Sequence, residues 1–321
     1  MKYRYSGNSG LQLPEVSLGL WHNFGSVDNF DNIRKMLVGA FDLGITHFDI
    51  ANNYGPEFGS AEINFGRVLH DELAAHRDEM IISTKAGYHM WDGPYGYGGS
   101  RKYMLASLDQ SLKRLGVDYV DIYYSHRYDP ETPLEETMQA LVDAVRQGKA
   151  LYVGISNYPT EKQQWCYDYL RAAHVPCLIG QYKASLFQQQ TLFENLPVAR
   201  QNGSGFICFS PLAQGVLTNR YLKGVPKTSR AAAHRGNGAI TEQALTEHAI
   251  RTARRLNEVA QERGQSLAQM ALAWLLSHEG VTSVIAGASQ LKQIQDSVKA
   301  VENTTFSDDE MFRIDQILRM E

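Results

Sequence analysis

The chain has 321 residues, 43% hydrophobic and 21% charged, enough for one large soluble domain with a substantial core or two ordinary ones. Its net charge of −4 gives no general pull toward nucleic acid or an anionic membrane, so any bound anion must be held by a local cluster. Three widely spaced cysteines, Cys166, Cys177 and Cys208, with no CxxC pair, argue against a disulfide framework or a thiolate zinc site. The start, MKYRYSGNSG, has no apolar leader core and no run reaches membrane-span length, so the expectation is a complete, cytoplasmic chain.

A short polar opening has a hairpin pattern, Tyr3-Arg4-Tyr5 followed by Leu11-Gln12-Leu13. Strand-like runs then alternate with helical ones. They are VSLGL from Val16, THFDIA from Thr46, MIISTK from Met80, YVDIYYSH from Tyr119, ALYVGIS from Ala150, CLIGQY from Cys177, GFICFSP from Gly205 and VTSVIAG from Val281. Most are short and apolar, as parallel strands covered on both faces are. In SRKYMLASLDQSLKRLG, Leu105, Leu108, Leu112 and Leu115 mark one face and Gly116 the stop. In TPLEETMQALVDAVRQGK, Thr132 and Glu135 have capping-box spacing, Pro133 stands at N1 and Gly148 ends the segment.

Eight strands alternating with helices predict an α/β fold, a (β/α)8 TIM barrel with an N-terminal β-hairpin and long active-site loops. A doubly wound sheet is the runner-up. No Pro-, Gly- or Ser-rich linker divides the chain, so residues 1–321 read as a single domain. Two segments exceed a minimal barrel. Residues 88–102 are rich in glycine and aromatics. Residues 211–240 are long and irregular, with Arg220, Lys223, Lys227 and Arg230.

Barrel active sites lie at the carboxyl ends of the strands. Three successive strands finish there in Asp49, Lys85 and His126, and Tyr54 follows Asp49 on the next loop. Alone, such an aspartate reads as a helix cap and such a histidine as a structural residue. Together they suit proton donation to a carbonyl oxygen. Tyr54 would be the acid, Lys85 would lower its pKa from roughly 10, Asp49 would hold Lys85, and His126 would orient the substrate. There is no GxSxG or HExxH, and the ten histidines show no metal-ligand spacing, so no metal is expected.

The sequence resembles the aldo-keto reductase superfamily over essentially its whole length. FDIANNYG, IISTKAG and DIYYSHRYDPETPLEETMQALVDAVRQGKALYVGISNY correspond to the three defining blocks of that superfamily. Its Asp, Tyr, Lys and His tetrad falls on Asp49, Tyr54, Lys85 and His126. The resemblance implies NADPH bound without a Rossmann fingerprint, and no GxGxxG occurs here. It implies Ser156, Asn157 and Gln181 at the carboxamide, Phe209 stacked on the nicotinamide, and Ser210, Leu212 and Gly215 along the pyrophosphate. Gly287, Ser289, Gln293 and Ser297 would take the adenosine end, where a helix start favours phosphate. Arg230, helped by Arg220, would hold the ribose 2′-phosphate. Gly19 and Trp21 complete the cofactor set, and Trp21, Tyr54 and His126 would also face substrate.

Within the superfamily the resemblance is to the branch of bacterial L-glyceraldehyde 3-phosphate reductases, related in turn to voltage-gated potassium channel β subunits. HMWDGPYGYGGSRKYM and SHRYDPETPLEETM carry it. It implies reduction of small aldehydes, methylglyoxal included, and a homo-oligomer, tetramer or octamer. A phosphorylated substrate needs nearby cations. Arg101, Lys102 and Arg127 are candidates, each also readable as a surface or ion-paired residue. The alternative function is a channel-β-like accessory protein that binds cofactor and senses redox state with little turnover. His126 speaks against it, since the resemblance to channel subunits would put an asparagine there.

Overall fold

Parallel strands cannot be joined by tight turns, so each short apolar run is followed by a crossover helix that packs back on the sheet. The computed structural model describes residues 1–222 and 246–319. A hairpin, β1 (Tyr3–Tyr5) and β2 (Gln12–Pro14), precedes β3 (Val16–Gly19), β4 (His47–Asp49), β5 (Ile81–Ala86), β6 (Val120–Ser125), β7 (Ala150–Ser156), β8 (Cys177–Lys183), β9 (Gly205–Phe209) and β10 (Val281–Ala286). β3 to β10 pair in chain order and close into a barrel, with Val284 of β10 beside Val16 of β3. The expected (β/α)8 barrel and its amino-terminal hairpin are both present.

The hairpin covers the amino-terminal end. Arg4 Nη1 donates to the carbonyls of Leu276 and Val281, and Ser6 Oγ to that of Leu178. Helices α1 (Phe30–Asp42), α2 (Ser60–Val68), α3 (Arg101–Leu115), α4 (Leu134–Arg146), α5 (Thr160–Ala172) and α6 (Gln190–Gln201) follow successive barrel strands. Helices α7 (Glu247–Glu262) and α8 (Leu267–Leu276) precede β10, and α9 (Leu291–Val298) and α10 (Asp308–Arg319) follow it.

Helix α3 starts where expected, with Ser100 Oγ accepting from the Tyr103 N–H, and ends at Gly116. Its buried face runs through Met104, Leu108 and Leu115, while Leu105 and Leu112 flank it half-buried. The start of α4 differs from expectation. Thr132 Oγ1 donates to Asp129 Oδ2 at 2.7 Å, so no capping box with Glu135 forms, and Pro133 occupies the cap position rather than N1. A local turn around Asp129 competes successfully for that hydroxyl.

The barrel interior is unequal. Ile122, Tyr124, Ile179, Ile207 and Ile285 form an apolar cluster with Leu13. On the other side β3, β4 and β5 bury Ser17, His47, Asp49, Ser83 and Lys85. Period-2 alternation turns Phe48 the opposite way, to pack 5.2 Å from the Phe65 ring of α2. The barrel therefore carries buried charge at the carboxyl end of β4 and β5.

Candidate active site

Asp49 is the last residue of β4 and Lys85 the next-to-last of β5, so two inward side chains meet on adjacent strands. Lys85 Nζ donates to Asp49 Oδ2 at 2.7 Å, to the Ile50 carbonyl at 2.6 Å and to the Tyr54 hydroxyl at 3.4 Å. That accounts for all of its protons. Asp49 Oδ1 accepts from Ser83 Oγ and from Gln181 Nε2, each at 2.9 Å. A buried charge persists when it is paired and hydrogen-bonded, and both members meet that condition.

Tyr54 reaches this pair because the chain folds back immediately after it. Gly55 has φ +93°, and a Cβ there would stand 2.2 Å from Ser60 Oγ and 3.0 Å from the Gly25 Cα. Only glycine permits that turn. Burial, reinforced by the Asp49 charge, holds the Tyr54 hydroxyl well above the usual phenol range. The shift runs opposite to the lowering expected from Lys85 because burial is its largest cause. The ammonium is largely offset by Asp49 at closer range, and burial pulls its own pKa down while Asp49 opposes that shift.

His126 lies just past β6, anchored by its N–H on the Ala86 carbonyl. Its ring stands edge-on to Tyr54 at 5.8 Å and to Tyr88 at 4.7 Å between centroids. Burial, with Lys85 and Arg127 adding to it, keeps the imidazole well below its usual range and hence neutral near pH 7. Nδ1 is buried with no hydrogen-bond partner. A stranded N–H there would cost more than a stranded lone pair, so the proton belongs on Nε2.

Tyr88 is a residue that sequence reasoning missed, although its loop stood out. Its carbonyl accepts from the Tyr103 hydroxyl, which accepts in turn from Asn52 Nδ2 at 3.1 Å. The available signal was its place three residues beyond Lys85. Arg127 lies against it, with Nε donating to the Gly87 carbonyl at 3.1 Å and the guanidinium 5.5 Å from the Tyr88 ring centre. The other two candidate cations go elsewhere. Arg101 pairs with Asp143 of α4 at 2.7 Å, and Lys102 lies 5.3 Å from the Tyr95 ring centre. Both are exposed on the first turn of α3, not at the tetrad.

A cleft of about 770 Å³ opens beside Asp49 and Tyr54 and runs out to α8 and α9. Gly19, Trp21 and Phe209 line its inner part, and Ser210, Leu212 and Gly215 one wall. That wall holds Ser210, Ala213 and Gln214 at φ +53°, +46° and +58°, a concentration of backbone strain of the kind found where ligands bind. Arg220, Gly287, Ser289, Gln293 and Ser297 line the same cleft, as do Lys292 and Lys299, which were not foreseen. The N–H groups expected to receive phosphate at the start of α9 are capped by Gln293. Its Oε1 accepts from the N–H of Ser289 at 2.7 Å and of Gln290 at 3.2 Å. Ser156 and Asn157 sit behind His126, whose carbonyl accepts from Asn157 Nδ2 at 3.0 Å. Arg230, Lys223 and Lys227 lie outside the described residues.

The Aldo/keto reductase family model matches residues 15–319. The chain belongs to the aldo/keto reductase family. It is 57% identical over 320 residues to an L-glyceraldehyde 3-phosphate reductase of Escherichia coli (strain K12), covering 98% of this chain and 92% of that protein. The counterpart from Escherichia coli O157:H7 matches equally, at 57% over 320 residues. A probable voltage-gated potassium channel subunit beta of Oryza sativa subsp. japonica is 36% identical over 308 residues, 94% of this chain and 92% of the relative.

This aldo/keto reductase is therefore an oxidoreductase, and its family generally draws on NAD(P)H. The residues present fit such a cofactor. The cations Arg220, Lys292 and Lys299 along the cleft suit its phosphates, whereas Ser156, Asn157 and Gln181 lie outside the cleft lining, with Asn157 Nδ2 donating to the His126 carbonyl and Gln181 Nε2 to Asp49. At Gly19 a Cβ would stand 2.5 Å from Ile285 Cγ2, so only a bare backbone fits at that part of the cleft. Among the described residues no helix is long and apolar enough to cross a membrane.

Proposed function

We propose that the chain is an NADPH-dependent reductase of small aldehydes, L-glyceraldehyde 3-phosphate and methylglyoxal among them. The observation that carries this reading is the Tyr54 hydroxyl, kept protonated by burial, 3.4 Å from Lys85 and beside a neutral His126. A proton donor for a carbonyl oxygen needs those neighbours and a cleft opening onto them.

Ser156, Asn157 and Gln181 would hold the carboxamide and Phe209 would stack on the ring, with Gly19 and Trp21 completing the cofactor set. Ser210, Leu212 and Gly215 cover the pyrophosphate, and Gly287, Ser289, Gln293 and Ser297 receive the adenosine end. Arg230 and Arg220 select the 2′-phosphate. A reduced nicotinamide held in this way supplies the hydride. His126 donates from Nε2 to the aldehyde oxygen and orients it. Tyr54 passes its proton to that oxygen as negative charge develops there. Lys85 then stabilises the phenolate, and Asp49 keeps Lys85 in place. The raised pKa keeps Tyr54 protonated but weakens it as an acid, so the transfer depends on Lys85 stabilising the phenolate as it forms.

The name of the Escherichia coli relatives favours a triose phosphate substrate. Arg127 is the cation placed to hold its phosphate, because it alone of the three candidates packs on Tyr88 beside His126. Three free, buried cysteines suit the cytoplasm, and we place the protein there as a tetramer or octamer. The test is loss of NADPH absorbance with methylglyoxal and with phosphorylated and unphosphorylated glyceraldehyde. Turnover supports the reductase reading. Tight NADPH binding without turnover on any aldehyde would favour the accessory role instead.

A further inference from the structure

An unbroken line of polar side chains crosses the barrel beneath the tetrad. Ser283 Oγ lies 2.7 Å from Ser17 Oγ, Ser17 Oγ lies 2.8 Å from His47 Nδ1, and His47 Nε2 lies 3.0 Å from Ser83 Oγ. Ser83 Oγ donates to Asp49 Oδ1 at 2.9 Å. All of these side chains are buried.

The end of the line sets its direction. The carboxylate of Asp49 can only accept, so the one proton of Ser83 goes to it. Ser83 Oγ must then accept from His47 Nε2, which makes His47 the Nε2–H tautomer. His47 Nδ1 accepts from Ser17, and Ser17 accepts from Ser283. Every member is satisfied by this single arrangement. The opposite half of the interior is the isoleucine-rich filling usual for such barrels. Packing alone does not require hydroxyls and an imidazole in this half.

We infer that Ser83 and His47 are positioning residues for proton donation, acting through Asp49 and Lys85; the inference rests on the tetrad reading above. With Ser83 and Gln181 both donating to Oδ1, the carboxylate cannot rotate, and Oδ2 faces Lys85. That sets the ammonium at its 3.4 Å reach to Tyr54, a contact long enough to be lost by a small displacement. The Phe48 carbonyl lies 3.5 Å from Ser83 Oγ, so without His47 the hydroxyl has a second place to turn.

The test compares steady-state reduction of methylglyoxal by the wild type, Ser83→Ala, His47→Phe and His47→Gln, with NADPH affinity measured by fluorescence. The expected result is a roughly tenfold or greater fall in kcat for Ser83→Ala, the loss of one hydrogen bond to a charged group. KM for aldehyde and affinity for NADPH stay unchanged. His47→Phe, which keeps volume without polarity, falls similarly, and His47→Gln recovers most of the rate. If His47→Phe does not fold, Ser83→Ala decides. Unchanged kcat in Ser83→Ala overturns the inference, as do parallel losses of kcat and NADPH affinity, which mark general damage. No turnover in the wild type overturns the reductase reading itself, and this inference with it.

Discussion

The ammonium of Lys85 lies 2.7 Å from the carboxylate of Asp49, with both side chains closed to solvent. Removing one partner leaves the other as an uncompensated buried charge. Asp49→Asn should therefore destabilise the fold by about 3–5 kcal/mol in urea denaturation. The double variant Asp49→Asn, Lys85→Met should regain much of that stability while staying inactive. Wild-type stability in Asp49→Asn would contradict the pairing.

Buried His47 makes stability depend on pH on the acid side. Burial lowers its folded pKa from 6.5 to about 4, with Asp49 opposing and Lys85 assisting that shift. Below about 6.5 the unfolded chain binds a proton that the folded chain refuses until about 4. The contribution is thus complete above pH 6.5 and is lost as pH falls toward 4. It amounts to about 3 kcal/mol. His126, also lowered by burial, acts in the same direction. Denaturation at neutral pH and near pH 4.5 should show a smaller acid loss for His47→Gln than for the wild type, by about 2–3 kcal/mol. Parallel pH dependence in the two would contradict the assignment.

Tyr88 packs on the ring of His126, edge to face at 4.7 Å. Tyr88→Ala should raise aldehyde KM by roughly 2- to 10-fold, the worth of one aromatic pair, and leave NADPH affinity alone. A change in cofactor affinity instead would show that Tyr88 does not act through His126 on substrate.

Arg127 offers the charge that a phosphorylated triose needs. Arg127→Ala should lower kcat/KM for glyceraldehyde 3-phosphate by roughly 10- to 100-fold and leave methylglyoxal little changed. Equal losses on both substrates would show that the guanidinium supports the loop through Gly87 and does not bind phosphate.

The barrel and the gathering of Asp49, Lys85 and His126 were legible because each interrupts an apolar run at a strand end, where period-2 alternation dictates facing. The polar line through Ser17, His47, Ser83 and Ser283 was not. Each serine is unremarked within its own strand, and only closure of β10 on β3 brings Ser283 to Ser17. The direction of the Tyr54 shift was hidden for a similar reason, since it depends on burial and on how far Asp49 offsets Lys85. Arg101 and Lys102 follow an aromatic loop in sequence, but the rotation of α3 turns them outward to Asp143 and Tyr95. Thr132 was misplaced because Asp129, three residues earlier, takes its proton.

Tyr54→Phe tests proton donation by Tyr54 with the least disturbance, removing one oxygen from a ring that otherwise keeps its packing. Measured as kcat for methylglyoxal reduction alongside NADPH affinity, the variant should lose roughly 100- to 10,000-fold in turnover and bind cofactor as the wild type does. A Tyr54→Phe variant that turns over at a near-normal rate would show that Tyr54 is not the proton donor.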